Sequence, residues 1–554
     1  MHPDTSRLIQ AARGAVPADT VFTNAEIFNP FTLTWVHGDL AVRDGIILGM
    51  GDYTGITEHD LQGGYLVPGL IDAHVHIESS LLTPGEYAYL VAQHGTAAVI
   101  ADPHEIANVA GADGIAFMLS ERAGLPVDIR YMLPSCVPAT PRDIGGAVLS
   151  AQDLAKFKGY EGVLGLGEMM NYPGVLAGDS EVLEKIGLFS IRDGHAPLLS
   201  GRGLNAYVLA GLQSDHECTR LDEAYEKLEA GMYIYIREGS TERNIEELAP
   251  LLTEKTAARC CFATDDCHAD LLLEEGHIDR CIRKAVACGV APELAIRVAT
   301  LSAAERFGLA DRGALSPGRR ADFCVVDDPD RFVIKEVFVA GREPDSIKRT
   351  SGSALPPSFR CSLPTREVIR IRGKGTARVI GLVPHQIVTE PLMIECDGET
   401  VPDTARDILK VVVCNRYGTG ASAVGLVRGF NFLKGAIASS IAHDAHNVIA
   451  VGTSDSDILS AIAEIIRMQG GMAAVIGHEK AGLQLDCGGL MSTLPYEEVV
   501  GQIRSLHAMT GLMGGIEDPF MYLSFLSLTV IPSLRITDRG VFDVERFSDV
   551  PLFS

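Results

Sequence analysis

LVPGLIDAHVH, residues 66–76, is an apolar run that ends in two histidines. Because alternate side chains of a strand lie on one face, His74 and His76 are expected to point the same way. Two parallel imidazoles at the tip of a strand can bind one transition-metal ion. For an HxH pair taken alone, packed or surface histidines are the competing explanation. The residues at the other strand ends are needed to distinguish a metal site from this alternative.

Seven more apolar segments end in polar residues and are predicted to be strands. They are TAAVIADPHE (96–105), IRYMLPSC (129–136), VLGLGEMM (163–170), GLFSIRDGHAP (187–197), LAGLQSDHE (209–217), YIYIREGS (233–240) and CCFATDDCH (260–268). Helical stretches separate most of them, and the first helix is predicted to begin with a capping box at Thr83–Glu86 and to close at Gly95. Eight strand–helix units over roughly 250 residues predict an α/β fold, a (β/α)₈ TIM-like barrel.

The rest of the chain is predicted to form two further units. Short strands and turns in residues 1–65 return in residues 313–350, which indicates a small composite β-sandwich domain beside the barrel of residues 66–312. Beyond a segment rich in Ser and Pro, residues 351–554 alternate strands with helices. This pattern predicts a separate C-terminal mixed α/β domain.

Charge and cysteine usage limit the classes of partner and compartment. The chain has 554 residues and a formal net charge of −25, which disfavours nucleic acid and anionic membranes as partners. Its 12 cysteines include no CxxC pair, the N-terminus lacks the apolar segment of a signal peptide, and no apolar run reaches membrane-spanning length. A reducing, cytoplasmic location is therefore expected.

The polar strand ends carry the predicted chemistry. In a barrel, the carboxyl ends of all strands open on one face, where catalytic groups collect. The residues predicted to converge there are His74, His76, Asp102, His104, Glu168, His195, His216, Glu217, Glu238, Asp265 and Asp266. Each has an ordinary explanation when taken singly, such as a helix cap or a turn histidine. Together they offer more nitrogen and oxygen ligands than one tetrahedral ion needs, which favours two ions bridged by a carboxylate.

Several longer motifs point to a known family. GLIDAHVHIESS (69–80), ADPHEIANVAG (101–111), DGHAP (193–197), SDHE (214–217), ATDDCH (263–268) and PGRRADFCVVD (317–327) are the relevant segments. With these motifs the chain resembles the amidohydrolase superfamily of metal-dependent hydrolases and, within it, the bacterial adenine deaminase family. Many binuclear members of the superfamily bridge their metals with a lysine on the fourth strand, whereas here Glu168 occupies that strand end. The PCxxC signature of the zinc nucleobase deaminases is absent.

The resemblance implies a ligand set and a reaction. His74, His76 and Asp265 would bind one metal ion, His195 and His216 the other, and Glu168 would lie between them. A metal-bridging hydroxide would attack adenine and give hypoxanthine and ammonia, a reaction of purine salvage. Asp265 would pass a proton to the departing amine, and Glu217 or Glu238 would protonate the ring. The family favours Mn²⁺, while imidazole and carboxylate ligands also suit Fe²⁺ or Zn²⁺.

Other residues near the strand ends are expected to contact substrate or to orient the ligands. They are Asp102, His104, Asp266, Ser79, Ser80 and Asn108. For Asp102 and His104, binding of a further ion and simple capping of the strand end are the alternatives. The HDAH sequence at 443–446 suggests either a metal site or a polar loop at the surface or behind the ligands.

Three hypotheses for function stay open at this point. The first is adenine deamination by a homo-oligomer, expected to be a dimer. The second is another amidohydrolase activity on a cyclic amide or a different aminopurine. The third is a non-catalytic barrel that serves as a scaffold, which the intact set of ligand residues disfavours.

Overall fold

A computed structural model describes residues 5–344, 349, 352–356, 359–384, 386–400 and 402–554. The eight predicted barrel strands are all present. They run Leu70–Val75, Thr96–Ala101, Asp128–Leu133, Val163–Met169, Arg192–Gly194, Ser214–Asp215, Tyr233–Arg237 and Cys260–Ala263. The fifth and sixth strands are the shortest, with three and two residues.

The barrel closes through hydrogen bonds between its first and last strands. The first five strands form one parallel sheet and the last three form another. Asp265 N donates to His74 O at 3.0 Å, and Gln213 N donates to Arg192 O at 3.2 Å, so both gaps between the two sheets are bridged. The predicted (β/α)₈ barrel is therefore confirmed.

Alternation along the strands decides which side chains enter the barrel. Tyr235 and Cys261 belong to the inner core with Ile71 and Ala263, whereas Ile236 packs outward against the helices. The first strand carries a register irregularity between Asp72 and Val75. Such irregularities re-aim side chains at the rims of barrels.

Helices cover the outside of the barrel. Their bounds are Pro84–Ala92, His104–Ser120, Ala151–Ala155, Tyr172–Ala177, Ser180–Gly187, Gly201–Leu209, Leu221–Glu229, Ile245–Leu248, Ala269–Glu274, Ile278–Ala287, Pro292–Arg297 and Ala303–Phe307. The first begins at Pro84, as predicted, but it ends at Ala92 rather than at Gly95, and the predicted capping box is wrong. Thr83 makes no side-chain cap, and the Glu86 carboxylate accepts the Tyr496 amide at 2.9 Å and pairs with Arg349 instead of accepting the Thr83 amide.

The small β domain is assembled from two separate parts of the chain. Among the described residues, its strands are Ala18–Asn29, Thr34–Arg43, Ile46–Met50, Gly55–Asp60, Tyr65–Pro68, Phe323–Val326 and Ile334–Phe338, preceded by the helix Thr5–Ala12. Tyr65–Pro68 pairs with both Ala18–Asn29 and Phe323–Val326. The first part of this domain therefore reaches Pro68, immediately before the first barrel strand.

The C-terminal domain contains an eight-stranded sheet in the part of the chain that the structure describes. In spatial order its strands are Thr389–Thr400, Ile371–Leu382, Ser422–Arg428, Ile408–Cys414, Val448–Gly452, Ala436–Ser439, Gly471–Ile476 and Glu479–Gln484. The helices Asp455–Met468, Tyr496–Met513 and Pro519–Phe525 and a small sheet of Leu534–Thr537, Gly540–Asp543 and Ser548–Asp549 complete it. The Ser- and Pro-rich segment before it lies partly outside the described residues.

This domain and the barrel share one apolar core. Leu81 and Tyr87 of the barrel pack in the same cluster as Leu490 and Leu523 of the C-terminal domain. The Ser492 amide also donates to Leu81 O at 2.8 Å, next to the end of the first barrel strand. These contacts hold the C-terminal domain over the mouth of the barrel, where the strand ends lie. None of the described helices is both long enough and apolar enough to cross a membrane.

Candidate metal centre and active site

The first and eighth strands bring three of the predicted ligands to one point. His76 Nε2 lies 3.1 Å from Asp265 Oδ1 and 3.2 Å from Glu168 Oε1. His74 Nε2 lies 3.6 and 3.7 Å from the same two oxygens. All four side chains are buried. The fourth strand thus contributes its carboxylate to the same point.

The other oxygen of Glu168 faces the remaining two histidines. Glu168 Oε2 lies 2.7 Å from His195 Nδ1 and 3.2 Å from His216 Nε2. The carboxylate therefore directs one oxygen to each pair of imidazoles. This is the arrangement that a bridging ligand between two cations requires.

The spacing of these atoms fits metal ligands. Ligand atoms about 2.0–2.2 Å from one ion stand roughly 3.0–3.5 Å apart when they surround it. The His76, Asp265 and Glu168 atoms have this spacing. No described residue offers a hydrogen-bond partner to His74 Nε2, although this atom is buried. An unpartnered nitrogen that faces two carboxylate oxygens is what a bound divalent cation would require. The residues present therefore suit a metal centre.

Electrostatics point the same way. Burial alone would raise the pKa of Glu168, but hydrogen bonds with His195 and His216 hold that pKa well below its usual range. Burial opposes protonation of His216, yet its hydrogen bond to Glu168 raises the imidazole pKa to about 9. The buried carboxylates thus attract positive charge strongly, and a metal cation can supply it in place of protons.

Asp102 supports the centre from behind. Its Oδ2 accepts the Glu168 amide at 2.9 Å, and its backbone oxygen lies 3.0 Å from His76 Nδ1. Only glycine fits at position 167, because a Cβ there would stand 1.9 Å from Asp102 Oδ2. Asp102 is therefore placed to orient two of the ligands rather than to cap its strand.

A buried ion cluster fixes the turns that carry His195 and His216. Lys227 Nζ donates to Asp215 Oδ2 at 2.9 Å, to Glu223 Oε1 at 2.6 Å and to Ala196 O at 2.7 Å. Asp215 also accepts the Ala196 amide at 2.8 Å. The residues next to both histidines are thereby tied together, which limits the freedom of the imidazoles before any ligand binds.

Arg237 is a site residue that the sequence interpretation missed. Its guanidinium forms a two-pronged pair with Glu217, including Nη2 to Oε2 at 3.2 Å, and donates to Asp265 Oδ2 at 3.0 Å. Because Tyr235 points into the barrel, Arg237 two residues later does so too. Strict alternation along this strand would have found it.

Glu238, predicted as a proton donor, is not brought to the site. It shares the outward face of Ile236, and its carboxylate lies 2.8 Å from Lys284 Nζ. The glutamates that line the cavity at the barrel mouth are Glu217, which was predicted, and Glu242, which was not. Glu242 lies in the loop after the seventh strand, where side chains do not alternate regularly, so the sequence pattern could not assign it to the site.

The remaining predicted residues lie around the centre. His104 and Asp266 line the cavity, and His104 Nδ1 lies 3.5 Å from Glu168 Oε1. Ser79 Oγ donates to Glu105 Oε1 at 2.8 Å and to Asp266. The other two only support the backbone, since Asn108 Nδ2 donates to His104 O at 3.0 Å and Ser80 Oγ donates to Ile77 O at 2.6 Å.

The C-terminal domain closes the cavity. His443, Asp444, Ile387, Phe525 and Leu528 line its outer side. The HDAH loop is therefore not at the surface, and His443, Asp444 and His446 are buried. Docking of one domain on another leaves no local signal in the sequence, so Ile387, Phe525 and Leu528 could not be placed at the site beforehand.

Fold and site together define a metal-dependent hydrolase of the amidohydrolase class. Residues 65–343 match the amidohydrolase family, and residues 386–548 match the adenine deaminase C-terminal domain. Adenine deaminase from Methanoregula boonei is 62% identical over 100% of this chain and 99% of its own. That from Methanoculleus marisnigri is 59% identical over 93% and 99%, and adenine deaminase 2 from Carboxydothermus hydrogenoformans is 44% identical over 98% and 99%. The chain belongs to the adenine deaminase family.

Replacement of Glu168 by glutamine tests the ligand assignment. The neutral amide cannot balance two cations, so Glu168→Gln is expected to lose at least one bound divalent ion and hydrolytic activity together. Metal content is measured by mass spectrometry on protein loaded with Mn²⁺ and desalted. Glu161→Gln, at a barrel carboxylate with an 87% exposed side chain, is the matched control. A Glu168→Gln protein with undiminished metal content and turnover would refute the assignment.

Proposed function

We propose that this chain hydrolyses adenine to hypoxanthine and ammonia at the mouth of the barrel. Relatives that match it over nearly their whole length carry the name adenine deaminase. The observation that carries the proposal is a cavity with two kinds of lining. Imidazoles and carboxylates line it together with four apolar side chains, those of Met170, Ile387, Phe525 and Leu528.

The lining of this cavity suits a flat heteroaromatic base. Its free volume is only about 30 Å³, so the lining side chains must move apart to admit a purine. Apolar side chains can pack on the faces of a purine, while its ring nitrogens and amino group need polar partners at the edge. The base would therefore lie with its C6 edge towards Glu168 and Asp265.

The reaction needs a nucleophile and two proton transfers. Divalent cations, when bound by the six predicted ligands, supply Lewis acidity that makes water nucleophilic near neutral pH. Asp265 can accept the proton of the attacking water, because Arg237 and His76 hold its carboxylate ionised and in position. The same proton, passed to the amino nitrogen, lets ammonia leave as the bond from C6 to nitrogen breaks.

Glu242 is the best-placed donor for the ring nitrogen. Thr241 Oγ1 donates to its Oε1 at 2.6 Å, and no described residue pairs with its buried Oε2. Both oxygens of Glu217, by contrast, are taken by Arg237. Burial raises the pKa of Glu242 to about 8, which keeps its carboxyl group protonated near neutral pH. The pair of Glu217 and Arg237 would orient Asp265 and the base.

The finer assignments are proposals of the same kind. Mn²⁺ is proposed as the native metal because the family resemblance favours it, and ligands of imidazole and carboxylate without thiolate are compatible with it. A cytoplasmic setting is supported by the free thiols of all 12 cysteines, which lie in the described part of the chain. A dimeric state and a role in purine salvage stay predictions.

A substrate panel tests the proposed reaction. Mn²⁺-loaded protein is incubated separately with adenine, guanine, cytosine and dihydrouracil, and ammonia and products are quantified. Adenine is expected to give equal amounts of hypoxanthine and ammonia, with the other compounds near background. If dihydrouracil or guanine is turned over faster than adenine, the second hypothesis from the sequence replaces this proposal.

Comparison of two neighbouring glutamates tests the proton donor. Glu242→Gln removes the acidic proton and is expected to lower kcat by roughly 10²–10⁴-fold, the usual contribution of general acid catalysis, with a smaller change in KM. Glu238→Gln, whose carboxylate faces Lys284 outside the cavity, should keep most of the activity. Full kcat in Glu242→Gln, or an equal loss in both variants, would remove Glu242 from this role.

A further inference from the structure

A second group of metal-ligand side chains lies beside the centre, where the two domains meet. We call it the seam cluster: Glu105 from the barrel, and His443 and His446 from the C-terminal domain. One ligand atom from each lies within 4.8 Å of those from the other two, and all three residues are buried. None of them belongs to the six predicted ligands of the binuclear centre.

The His446 imidazole of this cluster has no partner in the described part of the chain, whereas Glu105 accepts the Ser79 hydroxyl. Among the described residues, neither ring nitrogen of His446 has a hydrogen-bond partner, although its side chain is fully buried. Burial of an imidazole with unsatisfied nitrogens is unfavourable unless something binds it. His443 Nδ1 lies 3.4 Å from Glu105 Oε1, a spacing that two ligands of one ion adopt.

The backbone around the cluster is already fixed. His443 N donates to Ser524 O at 2.9 Å, and His446 N donates to Ala442 O at 2.7 Å. Tyr417 Oη donates to Ala445 O at 2.6 Å, between the two histidines. The backbone on both sides of the imidazoles is therefore fixed, and no described residue occupies either ring nitrogen of His446, so both nitrogens are available to a ligand.

The surroundings favour a cation over water alone. Ser79 connects Glu105 with Asp266, and Glu78 Oε1 accepts the Ile106 amide at 3.1 Å close by. Buried carboxylates gathered in this way need positive charge nearby. Two imidazoles and one carboxylate, without a thiolate, suit a first-row divalent ion such as Mn²⁺, Fe²⁺ or Zn²⁺.

We propose that the seam cluster binds a third divalent metal ion, coordinated by Glu105, His443 and His446. The ion joins the helix that follows the second barrel strand to the loop at 442–447 of the C-terminal domain. It is distinct from the two ions of the hydrolytic centre, and its role is to hold the wall of the cavity that His443 and Asp444 form. The number of bound ions does not depend on which base the enzyme hydrolyses.

Ion counting on the full chain tests this site. Apoprotein is loaded with MnCl₂, desalted, and examined by native mass spectrometry. The wild-type chain is expected to hold three ions, and His446→Gln to hold two, because an amide is a poor substitute for imidazole as a ligand. His478→Gln, at an exposed histidine of the same domain, should keep three.

His443→Gln provides a second arm in case His446→Gln does not fold, and it too should hold two ions. Two ions in the wild-type chain would overturn the proposal whatever the variants show. Three ions in both His443→Gln and His446→Gln would overturn it as well. Loss of one ion in His478→Gln as well would show that the seam cluster does not bind the third ion, and it would also overturn the proposal.

Discussion

Two buried carboxylates facing four imidazoles are the constraint on which this structure depends. Glu168 and Asp265 lie where solvent has little access, and isolated buried anions are costly unless they are paired. Histidines from three different strands offset this cost, and only a closed barrel can bring those strand ends to one point. A cation between them resolves the remaining charge, so fold and metal binding are coupled.

Much of the surrounding structure serves to keep these groups in register. Gly167 allows Asp102 to approach the fourth strand, and Lys227 ties together the turns that follow the fifth and sixth strands. Below them, Arg306 Nη2 donates to Asp193 Oδ1 at 2.7 Å inside the barrel, two residues before His195. These buried hydrogen bonds and ion pairs favour a single arrangement of the site over many similar ones.

Two features of the sequence made part of the site predictable: the alternation of side chains along strands and the parallel arrangement of those strands. His74 and His76 follow from alternation at a strand tip, and the tips of parallel strands must share one face, so Glu168, His195 and His216 could be grouped from sequence. Glu238 was misplaced because every acid at a strand end was treated as inward, although Tyr235 and Arg237 occupy the inner face. Strand alternation could not identify Glu242, which lies in a loop, or Phe525, which belongs to another domain.

The C-terminal domain is the part for which sequence gave the least guidance. Its strands and the helix Asp455–Met468 were predictable from their patterns, but its contact with the barrel depends on apolar faces that match only in three dimensions. That contact turns an open barrel mouth into a closed cavity. The active site is therefore a property of two domains.

X-ray diffraction from crystals of the Mn²⁺-loaded protein, on both sides of the manganese absorption edge, tests the central claim most directly. The account predicts two anomalous peaks about 3.5–4 Å apart at the barrel mouth, one beside each oxygen of Glu168. A single peak at the barrel mouth, or a pair of peaks that does not flank Glu168, would contradict it.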